Sequence, residues 1–119
     1  MTRILLILLP IFLAAFVHAE EFDFAKTLAA AGKGDAEAQF MTGRAHANGE
    51  GAPLDLAKAA GFYRKAAEQG NAKAQNNLAW FYIEGKGVTK NAIEGLRWLR
   101  KAAEQGTAKT QDNLGYILV

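Results

Sequence analysis

Between residues 71 and 106 the apolar positions recur at helical spacing in two runs separated by a glycine-bearing turn. In the first run, AKAQNNLAWFYIE, Ala74, Leu78 and Phe81 follow one another at steps of four and three, with Tyr82 beside them. That spacing defines one face of a helix. In the second, AIEGLRWLRKAAEQ, Ile93, Leu96, Leu99 and Ala103 repeat the pattern and are expected to line the buried side. Asn71 and Asn91 stand just ahead of the two runs, where a side-chain oxygen can accept from an unpaired first-turn N–H. Glu94, three residues after Asn91, completes a capping-box pattern. The turn GKGVT between the runs has glycines at 85 and 87, suited to the positive φ that ends a helix and reverses the chain, and Val88 is placed to tuck beneath it.

The same pattern is present 36 residues earlier. Residues 35–70 align without a gap on 71–106, with 12 of 36 positions identical, including RKAAEQG at both 64–70 and 100–106. Asp35 and Asp55 take the cap positions, and Gly49, Gly51 and Ala52 take the turn. Upstream, FDFAKTLAAAGK at 22–33 has the register of a second-type helix, with Gly34 where Gly70 and Gly106 fall. Downstream, residues 107–119 restart the first-type helix from Thr107. A fixed period of this size marks a helical solenoid, whose units bury their apolar faces only against neighbours. The expected organisation is all-α: a leading half repeat at 20–34, repeats at 35–70 and 71–106, and a partial repeat at 107–119, six helices in all. In RKAAEQG, the alanine pairs Ala66-Ala67 and Ala102-Ala103 allow close helix approach, and Gly70 and Gly106 follow the last turn in a left-handed conformation. Gln69 and Gln105 are candidates to bond loose carbonyls at these joints.

Residues 1–19 do not share this pattern. A short positive start with Arg3, an uncharged run from Ile4 to Val17, and Val17-His18-Ala19 read as a secretory signal peptide cleaved after Ala19. An uncleaved anchor is the rival reading. Its 14 apolar residues, interrupted by Pro10, fall short of a span, which takes about 20. The expected location is therefore periplasmic or secreted, with no membrane attachment after cleavage. Without Arg3 the chain carries 13 basic and 12 acidic residues, a balance that gives no footprint for nucleic acid. With no cysteine, packing alone must hold an exported fold.

Little in the residue inventory supports chemistry. The glycine-lysine pair at 85–86 lacks the remaining glycine and hydroxyl spacing of a phosphate loop and follows a helix, not a strand. Beyond the leader, His46 is the one histidine, so a zinc site and a histidine-based triad both lack partners, and serine is absent throughout. We therefore expect no enzyme activity, no metal and no cofactor.

The motif A-x-A-Q, N-L-x-x-x-Y, G-x-G-V, W, R-K-A-A-E-Q-G resembles the Sel-1-like repeat, a relative of the tetratricopeptide repeat. It is carried by Ala72, Ala74-Gln75, Asn77-Leu78, Tyr82, Gly85, Gly87-Val88, Trp98 and residues 100–106. The first repeat departs from it, with Thr42 for the leucine and His46 for the tyrosine. The resemblance implies a right-handed α-solenoid that holds other proteins on a concave face lined by the first helices. On those helices the positions that differ between repeats are Phe40/Asn76/Asp112, Arg44/Trp80/Tyr116 and Ala47/Ile83/Val119. Their spacing of four and then three puts them on one face. Phe40, Arg44, Asn76, Trp80, Ile83, Asp112 and Tyr116 are thus the expected partner contacts, Trp80 foremost, with cover for a neighbouring helix as its alternative role. The partner is expected to be another protein, such as an envelope or sensor component. A second reading is self-association through the apolar end 116–119, or a truncated product. A third, the β-lactam-hydrolysing activity linked to cysteine-rich relatives, is disfavoured by the missing cysteines.

Overall fold

The structure, a computed structural model, describes residues 22–106. Five helices follow one another: α1 (Phe24–Gly32), α2 (Ala36–Asn48), α3 (Leu56–Glu68), α4 (Ala72–Glu84) and α5 (Ala92–Glu104). Each packs on its neighbours in sequence, α2 with α3 and α4 with α5 forming hairpins and α3 joining the two. No strand occurs among the described residues. The chain is an all-α solenoid, as the period implies. The expected signal segment 1–19 and trailing helix 107–119 lie outside the described residues.

Each helix starts where a short polar side chain can serve it. Asp23, Asp35, Asp55, Asn71 and Asn91 all turn a side-chain oxygen onto an amide of the first turn. The capping box at Asn91 is only half formed. Asn91 accepts from the Glu94 amide at 3.1 Å, but the Glu94 carboxylate turns to Arg97. The Asn91 N–H instead donates to Tyr82 O at 2.8 Å, closing the hairpin turn. A cationic neighbour and an available carbonyl thus displaced the local bond that the motif predicts. The turn glycines, Gly49, Gly51, Gly70, Gly85, Gly87 and Gly106, all adopt positive φ, together with Gly34. At Gly87 proximity adds to conformation, because a Cβ there would strike the backbone of Leu56 and Ala57 at the start of α3.

The core runs through the middle of the array. Tyr63 of α3 meets Phe40 of α2 at 5.8 Å and the edge of Phe81 of α4 at 5.3 Å between ring centroids. Leu78 and Leu99 are fully enclosed. Thr42, standing where the next repeat has Leu78, is also fully enclosed and donates its hydroxyl to Ala38 O at 2.8 Å. The polar atom is therefore satisfied within its own helix. His46 is buried, donating from Nδ1 to Pro53 O at 2.9 Å between the rings of Phe24 and Phe62. The face expected for α5 needs correction. Ile93 is 84% exposed, and the buried positions are Gly95, Trp98, Leu99 and Ala102. The apolar spacing was right, but its phase is set by Gly95, which a hydrophobicity reading passes over.

Gly95 marks the crossing of α4 and α5. A Cβ on it would lie 2.6 Å from Ile83 Cγ1 and 2.7 Å from Ala79 O. In the first hairpin the glycine is on the other helix: a Cβ on Gly43 of α2 would lie 2.7 Å from the Tyr63 ring and 3.2 Å from Ala59 O of α3. The aligned pairs are Gly43/Ala59 and Ala79/Gly95. Each crossing has one glycine and one alanine, with the order exchanged.

The joints between hairpins are made of amides. Gln39 Nε2 donates to Ala31 O at 3.2 Å, and Gln69 Nε2 donates to Gln39 Oε1 at 2.7 Å. One repeat later Gln75 Nε2 donates to Ala67 O at 3.1 Å, and Gln105 Nε2 donates to Gln75 Oε1 at 2.9 Å. Gln105 Nε2 also reaches Gly70 O at 2.9 Å. Every member of the second relay is 36 residues beyond its counterpart in the first. Each relay ties three consecutive helices, and Gln39 and Gln75 are buried only because both ends of their amides are paired. The glutamine of RKAAEQG is therefore a structural tie between repeats.

Two expectations follow. Gly61 in α3 is exposed with open space around it, and Gly95 is not. Gly61→Ala should raise stability by up to about 1 kcal/mol through helix propensity. Gly95→Ala should lower it by about 1–3 kcal/mol through overpacking against Ile83 and the Ala79 carbonyl. Urea midpoints compare the two, and a stabilising Gly95→Ala would rule out the crossing as described. For the relay, Gln75→Ala should cost about 1–2 kcal/mol by orphaning a buried amide partner. In a double-mutant cycle with Gln105→Ala, the combined loss should fall short of the sum by about 0.5–1 kcal/mol.

Candidate functional site

The first helices α2 and α4 lie side by side. Glu37 at the start of α2 accepts from Asn71 at 3.1 Å and pairs with Lys73 of α4 at 3.3 Å. The two helices carry two depressions. One, of about 300 Å³, is lined by Met41, Arg44 and Ala45 of α2 with Glu50, Gly51 and Phe22. The other, of about 250 Å³, includes Asn77, Trp80, Phe81 and Glu84 of α4, Lys86 of its turn, Ala47 and Asn48 of α2, and Tyr63 of α3.

These are one ledge built twice. Adding 36 to Met41, Arg44, Ala45 and Glu50 gives Asn77, Trp80, Phe81 and Lys86, all four of which line the second depression. Repeat symmetry therefore opens both toward the same side of the array. The chemistry on this shared frame differs: a thioether becomes an amide, a guanidinium an indole, and a carboxylate on the turn an ammonium.

Arg44 is exposed, its guanidinium 5.7 Å from the centre of the Phe40 ring, and no carboxylate lies within ion-pair distance of it among the described residues. Lys73 approaches the same ring at 5.6 Å. In the second ledge Lys86 and Glu84 neutralise each other at 3.2 Å. Tyr63 forms the wall between α2 and α4. Burial pushes its phenol up from the ordinary range, while a hydrogen bond with Asn77 and the Arg44 charge pull it part of the way back. On α5, outside the ledges, the Arg97 guanidinium holds the Glu94 carboxyl below the usual carboxylate range. No group of three metal-ligating side chains occurs among the described residues.

Of the residues expected to meet a partner, Arg44 and Trp80 line the ledges, Arg44 exposed and Trp80 half-buried. Phe40 and Asn76 do not belong to an open stripe; they are 6% and 7% exposed. Ile83 packs against the α5 backbone at Gly95. Asp112 and Tyr116 lie outside the described residues. The open face is turned by one residue from the expected one, running Met41–Arg44–Asn48 and Asn77–Trp80–Glu84, with Arg44 and Trp80 common to both. Met41, Asn77, Glu50 and Lys86 also line the ledges and are not among the expected contacts. Their signal was in the alignment, where each pair differs in chemistry across the 36-residue period.

A Sel1 repeat family model matches residues 36–71 and again 72–107. Among solved structures, a Sel1 repeat protein from Oxalobacter formigenes is similar at TM-score 0.74 and 37% identity, over 76% of this chain and 26% of that one. A protective antigen of uropathogenic Escherichia coli with an SLR fold is similar at TM-score 0.77 and 32% identity, over 82% of this chain and 21% of that one. This chain thus spans about a quarter of the first protein's length and a fifth of the second's. Cysteine rich protein B of Helicobacter pylori is similar at TM-score 0.72 and 26% identity, over 76% of this chain and 68% of that one. The fold therefore extends to the cysteine-rich relatives, although this chain has no cysteine. No curated protein matches the chain. Sel1 repeat proteins mediate protein–protein interaction and are typically non-catalytic. Two matched repeats spanning most of the described helices, on a frame shared with solved Sel1 structures, place the chain in the Sel1 repeat family.

Proposed function

We propose that the chain is an exported, non-catalytic interaction module that seats part of a partner protein along the two ledges of α2 and α4. The observation that carries this reading is the exchange of chemistry on a constant frame. The joints keep the same glutamines, alanines and glycines in both repeats, while the ledge pairs Met41/Asn77, Arg44/Trp80 and Glu50/Lys86 all differ. Arg44, Glu50 and Lys86 are exposed and free to suit a partner's surface, with the half-buried Met41, Asn77 and Trp80 beside them. Trp80 is the natural anchor, since half-buried aromatics dominate protein contacts. Export rests on the leader at residues 1–19, and the absence of disulfides is met by packing and amide ties.

Site-specific photocrosslinking in cells tests the binding face. A crosslinker at position 80 or 44 should give discrete protein adducts, and one at position 93, on the exposed side of α5, should not. Equal labelling from 93 and 80 would remove the ledges as the binding face. Export is checked separately by N-terminal sequencing of the protein recovered from envelope or medium, which should begin at Glu20.

A further inference from the structure

The charges on the two ledges are not balanced in the same way, and this names the chemistry of the partner. In the second ledge Lys86 and Glu84 cancel each other, leaving the Trp80 indole and the Asn77 amide to set its character. In the first, Arg44 is exposed and without a carboxylate partner among the described residues, beside the thioether of Met41 and the ring of Phe22. The other carboxylate of that ledge, Glu50, is on the turn. On the opposite side of Arg44, toward the helix starts, Lys73 is paired with Glu37 at 3.3 Å, as Lys86 is with Glu84. Arg44 is therefore the ledge cation left without an ion-pair partner among the described residues.

Resting on the reading of these ledges as the binding face, we infer that they take an extended segment of a partner protein with an acidic side chain for Arg44 and a large apolar one for Trp80. Arg44 and Trp80 stand at equivalent positions of successive first helices, so one segment lying across α2 and α4 meets both. Arg44 is suited to the acidic residue because its guanidinium presents a fork of donors to a carboxylate and is already steadied by the Phe40 ring. Trp80 is suited to an aromatic or branched side chain, which would cover its half-buried indole.

The test uses the mature chain and a set of synthetic peptides with Glu and Phe about two to five residues apart, in both orders, matched with peptides in which Lys replaces Glu. Binding is read from the NMR signals of the Trp80 indole N–H and the Arg44 Nε–H. Whichever order binds, the Glu peptide should shift both signals and bind about tenfold more tightly than its Lys counterpart. Arg44→Glu should reverse that preference, an outcome that loss of structure cannot mimic. Equal affinity for Glu and Lys peptides, or an unreversed preference in Arg44→Glu, overturns the inference but leaves the ledges as a binding face. Absence of shifts with any peptide also overturns it. If crosslinking at position 80 still captures a partner, only the assigned chemistry falls; if it too fails, so does the functional reading beneath it.

Discussion

Where the two helices of a hairpin cross, there is room for one methyl group. The first hairpin places it on Ala59 of α3 and leaves Gly43 bare; the second places it on Ala79 of α4 and leaves Gly95 bare. Much of the array depends on this limit. With Gly43 lacking a Cβ, the Tyr63 ring can lie against α2, and from there it joins Phe40 to Phe81. In the second hairpin the bare position is covered by Ile83, while Leu99 occupies the place corresponding to Tyr63. A second methyl at either crossing would spread the helices and disturb residues that also form the walls of the ledges.

The crossings shape each hairpin and the amide relays fix one hairpin to the next. A buried glutamine is an unfavourable choice unless both its donor and its acceptor are used. Here Gln75 donates to the end of α3 and accepts from the end of α5, so it is satisfied only when three helices are in register. A neighbour shifted by one residue would leave a buried amide unpaired. Apolar contacts tolerate such slips far better, which is why polar groups at these joints specify the period while the alanines and aromatics supply the burial. In a solenoid, where each unit touches only its neighbours, the same specification has to be present at every joint. The second copy of RKAAEQG meets that need.

Helix starts, turn glycines and the repeat itself were legible because each depends on nearby residues. Asp35, Asp55, Asn71 and Asn91 cap from their own positions, and Gly49, Gly70 and Gly85 adopt the backbone that their places demand. What depended on distant partners was read less well. Ile93 looked like core because apolar spacing cannot show that α5 turns Gly95, not Ile93, toward α4. Phe40 and Asn76 looked like surface because they vary between repeats, yet each is enclosed. Variation in a two-repeat alignment marks positions free to differ, and a core position can differ when its neighbours differ with it. The swapped pairs Gly43/Ala59 and Ala79/Gly95 show this directly: two substitutions, one on each helix, preserve one crossing. Arg44 and Trp80 line the ledges because their phase is common to the expected stripe and the open one.

This distinction separates scaffold from candidate site. At a crossing or a relay, a change on one helix needs an answering change on another, so differences there come in compensated pairs or are absent. At the ledges the Glu50/Lys86 difference is answered by Asn48/Glu84, since Glu84 pairs with Lys86, whereas Arg44 has no answering carboxylate among the described residues. Met41 and Asn77, Arg44 and Trp80, and Glu50 and Lys86 differ in size, charge and polarity, while the backbone beneath them keeps the same turn and helix geometry. Lys86 has gained a partner in Glu84, but Arg44 has no carboxylate partner among the described residues. An exposed guanidinium held over a ring beside an apolar hollow contributes little to the stability of its own fold. Its arrangement becomes useful when a second surface brings the carboxylate, and that is the physical reason to look for function at Arg44 and Trp80 and not in the residues that the two repeats share.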